Sequence, residues 1–244
     1  SILDLARGTS TDLETSANIF IRAISAFTKN GVQFNQALSE SNKIVSQFVL
    51  ATRAGVLDLT DLEAGLRYVQ GTAGSLNISL AETLAVLTEL SNKGLVGSIG
   101  GTSLNTALNN LAKKQADIEK SLQIKFVISP EGDVNFLGTL DKVFNALKNV
   151  GSIKRTQILG DIFNLRGTRA IQAANAVEKI DELRIKLAGA TDQARKSAVI
   201  MDQGIGGTFR LMKSAIEDLN IELEKMAQGP VIVIAEIIKQ LATD

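Results

Sequence analysis

Leu87-Thr88-Glu89-Leu90-Ser91-Asn92-Lys93-Gly94-Leu95-Val96-Gly97-Ser98, with Gly101-Thr102-Ser103-Leu104 close behind, is the stretch on which the reading of this chain turns. A seam of Leu80, Leu84 and Leu87 runs into it at helical spacing. Gly94 stands where that helix ends, as a C-cap; Gly97, Gly100 and Gly101 form a tight loop; Thr102 or Ser103 caps the next helix. Gly94, Gly97 and Gly101 permit the turn, and Leu87, Leu90 and Leu104 are expected to bury around it. A phosphate-loop reading of the same glycines fails, because Gly101 is followed by Thr102 and no lysine is present to meet a phosphate. Gly204-Ile205-Gly206-Gly207 likewise lacks the dinucleotide spacing and the strand that precedes it.

Outward from this turn the chain reads as further helices. Three hydroxyl residues are followed three positions later by Glu, the capping-box pattern: Thr11 to Glu14, Thr60 to Glu63, and Ser79 to Glu82. The first helix is expected over 11–29, with Leu13, Ala17, Phe20, Ile24 and Phe27 on one face, and the second over 33–54. Thr-Asp-Leu-Glu occurs at 11–14 and again at 60–63, which reads as a faint repeat of a hairpin unit. Phe144 and Leu147, then Ile158, Ile162 and Leu165, continue the helical pattern, followed by a helix over 169–187. One small β-hairpin is predicted near 123–137: Ile124, Phe126 and Ile128 alternate, 130–133 turn, and 134–137 return. The last long helix carries Phe209, Met212, Ile216, Leu219 and Leu223 as a heptad-like seam, a candidate self-association surface. The fold class is all-α, mainly helical hairpins and long amphipathic helices, with that one hairpin.

Composition agrees and excludes much chemistry. The 244 residues contain two prolines and are rich in helix formers. The chain has no cysteine, so disulfides and thiolate nucleophiles are out. It has no histidine either, which removes the commonest general base and transition-metal ligand. We therefore expect no enzyme, no cofactor and no metal. Lysine plus arginine balances aspartate plus glutamate at 26 each, so no general affinity for DNA is predicted. Carboxylate pairs such as Asp58 with Asp61 and Glu217 with Asp218 read as solvated helix faces. The basic group Lys148, Lys154, Arg155, Arg166 and Arg169 reads as surface charge, having no interleaved aromatics for stacking on bases. The apolar run Val231–Ile238 is too short for a membrane span, which takes about 20 residues. It reads as the start of a segment following Gly229-Pro230, which divides the chain into 1–228 and 229–244. Both ends are expected to continue in a longer chain.

Four stretches, in order, resemble the core region of the phage tail tape measure family. Leu66-Arg67-Tyr68-Val69 with 73–83 looks like its central helix-turn-helix, and 87–104 like its most characteristic signature. Ile162-Phe163-Asn164-Leu165-Arg166-Gly167 resembles a Phe-Gly-X-Arg element, with Asn in place of Gly, and 207–219 resembles the closing amphipathic helix. The resemblance covers about 2–228. It implies a virion protein lying in the tail tube lumen. There, copies of the chain would template tube assembly, set tail length and leave ahead of the DNA. Implied partners are further copies, tail tube and tail tip proteins, tail assembly chaperones and, transiently, a membrane. A rival reading from Val231–Ile238 is a membrane-active helical protein with a pore or DNA-passage role. A single helix of this length would span about 370 Å, and the glycine punctuation and the expected β-hairpin argue for a folded module rather than such a rod.

Overall fold

Asp12, Asp58, Ser79 and Asn135 start helices with short oxygen-bearing side chains, and Ser10, Asn77, Gly94 and Gln123 follow helix ends in the left-handed region. The computed structural model describes residues 2–27, 41–129 and 133–190, all within one packed unit, 1–198. Among the described residues the helices are α1 Ile2–Thr9, α2 Leu13–Phe27, α3 Ser41–Ala54, α4 Leu59–Ser75 and α5 Leu80–Asn92. They continue with α6 Gly97–Lys113, α7 Gln115–Leu122, α8 Phe136–Leu147, α9 Ser152–Ala173 and α10 Val177–Ala188. The expected C-terminal seam Phe209, Met212, Ile216, Leu219 and Leu223, the run Val231–Ile238 and the boundary at 228 lie outside the described residues.

The caps differ in detail from the sequence pattern. Asp12, not Thr11, opens α2 by accepting the Thr15 N–H at 2.8 Å. Asp58 opens α4 in a reciprocal capping box with Asp61, two residues ahead of the predicted Thr60. A carboxylate accepts two-sidedly and cannot donate, so it outcompetes a nearby hydroxyl for free N–H groups at the positive helix end. The repeated Thr-Asp-Leu-Glu therefore falls in two different registers and is not a structural repeat. Ser79 caps α5 as expected, accepting the Glu82 N–H at 3.1 Å. The Glu82 side chain does not return to the cap and instead accepts the Leu137 N–H at 3.3 Å.

Helix α5 is the centre. Every residue from Leu80 to Ser91 except Glu82 is buried. It packs against α3, α4, α6, α9 and α10. A helix enclosed on all sides buries each leucine fully, about 1.5–3 kcal/mol apiece. Its end follows the Schellman pattern: Leu95 N–H donates to Leu90 O at 2.9 Å and Gly94 N–H to Ser91 O at 2.9 Å, with Gly94 at φ 83°. Asn77 plays the same part after α4, at φ 55°, with Ile78 N–H bonded to Ala73 O.

The predicted β-hairpin near 123–137 is not formed. Among the described residues there is no strand, only an isolated antiparallel bridge between Ile128 and Val134. The reason is local. Asn135 accepts the Gly138 N–H at 2.8 Å and so caps α8, which takes Phe136 and Leu137 into the core as helix rather than as a returning strand. The helix expected over 169–187 is also divided, ending at Ala173 and restarting at Val177. Leu165, expected on a buried face, is 73% exposed because the backbone bends at Asn164 just before it.

Candidate functional site: a glycine crossing

The stretch 94–104 folds into a helix-packing site. After Gly94 the chain takes only Leu95 and Val96 before α6 begins at Gly97, which has φ 58°. Thr102 is thus not an N-cap, as the sequence suggested; it lies in the second turn of α6, where its carbonyl accepts the Thr106 hydroxyl at 2.8 Å. The helix starts early because its glycines are needed inside it. Gly101 faces Gly65 of α4: a Cβ added there would lie 2.7 Å from Gly65 Cα and nearer still to the Gly65 carbonyl oxygen. Gly97 lies beside Asp61, and Asn105 and Asn109 reach Thr72. These contacts advance together along both helices, so α4 and α6 run parallel, with α5 as the crossover between them.

Beneath the crossing the expected leucines are in place. Leu87, Leu90 and Leu104 are all buried, and Leu87 Cδ2 lies 3.3 Å from where a Gly65 Cβ would project. Gly100 is held against the Leu95 carbonyl. Beyond the glycines a polar triad ties the helices. Thr72 Oγ1 donates to Asn105 Oδ1 at 2.5 Å, and Asn109 Nδ2 donates to Asn105 Oδ1 at 2.9 Å. Sequence reasoning missed Gly65, Thr72, Asn105 and Asn109. The available signal was asparagine in mid-helix, where it is a poor former and needs a partner to be worth placing.

The other flank of α6 packs antiparallel on α9. Gly167 abuts Ala107, whose Cα would lie 3.3 Å from a Cβ at 167. Asn110 Nδ2 donates to Phe163 O at 2.9 Å and Lys114 Nζ to Asp161 O at 2.8 Å. Asn164 stands between at φ 54°, ψ −179°, its Oδ1 accepting from Arg166 N and Gly167 N at 3.1 and 3.2 Å.

The charged groups follow the surface reading in part. Asp58 and Asp61 form the α4 capping box. Arg155 does not join a basic patch but turns back to the carbonyls of Lys148 and Val150, at 3.4 and 3.0 Å. Lys148, Lys154, Arg166 and Arg169 are exposed. An open cleft of about 690 Å³ is lined by Glu82, Asp133, Asp141, Glu178, Asp181 and Arg184, among others. Burial raises the Glu82 pKa above the usual carboxylate value, with Asp181 adding to the rise; the Leu137 N–H and Arg184 oppose it. Among the described residues no group of three or more acidic side chains is placed to hold a metal ion. The space that a phosphate loop would leave for its ligand is filled, at Gly101, by the backbone of α4.

The family model for phage-related minor tail proteins matches residues 1–164, which include the whole of α4, α5 and α6. The chain belongs to this family. Among curated relatives, the tape measure protein of Pneumococcus phage Dp-1 is 23% identical over 93% of this chain, and the probable tape measure protein of Escherichia phage P2 is 24% identical over 93%. This minor tail chain spans 20% of the first relative's length and 28% of the second's. No solved structure matches it.

Proposed function

We propose that this chain is the folded core module of a tape measure protein, a virion component of a phage tail that works by packing and not by catalysis. The observation that carries the reading is the alignment of nearly the whole chain with two tape measure proteins. In this reading the parent protein occupies the tail tube lumen until DNA ejection, and helical regions outside the module measure tail length. The module supplies a compact anchor for tube and tip subunits and for other copies. The close α4–α6 crossing supports a fixed fold over a stretched rod, since the glycines at 65 and 101 serve no purpose unless the two helices touch. The seam Phe209, Met212, Ile216, Leu219 and Leu223 is proposed as the contact between copies.

The test is peptide mass spectrometry on purified, protease-treated tailed particles from the source culture. Peptides of this chain protected inside particles are expected; their absence from particles while the protein is abundant in cells would overturn the assignment. In-frame deletion within the parent's other helical regions should shorten tails in proportion, whereas deletion of 1–228 should abolish assembly. Among the described residues no helix is long and apolar enough to cross a membrane; the run Val231–Ile238, which motivates the membrane-active reading, lies outside them.

A further inference from the structure

The geometry points to α9 being a two-state element, bent at Asn164 while α6 grips it and one continuous helix when the grip is released. Asn164, at φ 54° and ψ −179°, occupies a backbone region that is essentially reserved for glycine. Nothing covalent demands the bend, since 152–173 contains no proline. The bend is instead held from outside and across its own break. Asn110 on α6 and Lys114, the residue that caps its C-terminus, donate to the carbonyls of Phe163 and Asp161. Thr168, beyond the bend, donates through Oγ1 to Leu159 O before it, at 2.9 Å. In an unbroken helix the N–H groups of 166 and 167 would turn to the carbonyls of 162 and 163; here Asn164 Oδ1 accepts both.

The bent state therefore exchanges in-line helix bonds for side-chain bonds, one of them from α6 and one from the residue that caps it. A straight α9 would relieve Asn164 but lose the Asn110 and Lys114 bonds and the seating of Gly167 on Ala107. The α6 contact therefore enters the balance between the two states. The element thus reports whether α6 and α9 are docked. This inference stands apart from the tail assignment, because it uses only the geometry of one helix and its neighbour.

The chain has no cysteine, so a cysteine pair introduced at the exposed Lys154 and Gln172 places two spin labels cleanly in the full chain. Eighteen residues of continuous helix separate the two Cα atoms by about 27 Å, and the bend shortens this. Pulsed dipolar spectroscopy on the otherwise unaltered pair should give one distance below that value. Asn164→Gly should keep the short distance, since glycine holds the same angles without strain, although it gives up the Oδ1 acceptor of the 166 and 167 N–H groups. Asn164→Ala, and separately Asn110→Ala with Lys114→Ala, should raise the ratio of long to short distance at least roughly five-fold. The proposal is overturned if Asn164→Gly populates the long distance instead of the short one, or if both release variants keep the short distance alone. It is equally overturned if they lose all helical signal without populating the long distance.

Discussion

Gly101→Ala is the substitution on which the helix crossing stands or falls. The new methyl carbon would meet Gly65 Cα and carbonyl carbon at 2.7 Å, with the carbonyl oxygen closer still. These neighbours are backbone, so no side chain can swing aside, and α4 and α6 must move apart. Separation would also loosen Leu87 and Leu104 under the crossing and lengthen the Thr72–Asn105 bond. Overpacking of a core typically costs 1–3 kcal/mol, and a backbone-on-backbone clash belongs at the upper end, about 3 kcal/mol. For a domain of this size 1 kcal/mol moves Tm by roughly 2–4 °C, so a fall of about 6–12 °C is expected. The control is Gly71→Ala in the same α4, where an added Cβ meets nothing within 4 Å. There the gain in helix preference, roughly 0.5–1 kcal/mol, should raise Tm by a few degrees. Thermal melts followed by circular dichroism on the full chain decide the matter. If Gly101→Ala melts within about 1 °C of the parent, α4 and α6 are not in backbone contact and the reading of the glycines is wrong.

Three further outcomes are expected. Leu90→Ala, at a fully buried position in α5, should destabilise by about 2–5 kcal/mol in urea unfolding; a loss below about 1 kcal/mol would place Leu90 outside the core. Asp58→Ala should cost about 1 kcal/mol, whereas Thr60→Ala should be close to neutral, and the reverse order would restore the hydroxyl cap. The half-buried carboxyl of Glu82 has its pKa raised in the fold. The folded state therefore binds its proton more tightly than the unfolded state, and its contribution to stability falls as pH rises from the ordinary carboxylate value through the folded pKa. Glu82→Gln, which still offers an oxygen to Leu137 N–H, should be more stable than the parent above that window and converge with it in acid. A stability difference that stays flat from pH 4.5 to 8 would contradict the burial of this group.

Much of the module is legible in residue patterns, because helix periodicity and C-cap chemistry act over a few residues. The Leu80–Leu87 seam, the Gly94 stop and the burial of Leu87, Leu90 and Leu104 all follow from spacing alone. The ordered stretches are sequence facts that point to the family the comparison finds. The errors share one cause: each is a competition between two local options that a neighbour settles. Phe136 and Leu137 suit a strand as well as a helix until Asn135 caps α8 and the core receives them. Thr102 and Gly101 suit a loop until Gly65 arrives at their side. Asn164 looks like an ordinary helix residue until Asn110 and Lys114 hold the carbonyls ahead of it. Spacing along the chain sets which face of a helix is apolar, for that depends on 3.6 residues per turn. Which two faces touch, how closely, and where a helix must bend depend on backbone atoms from distant segments, and those are brought together only when the chain packs.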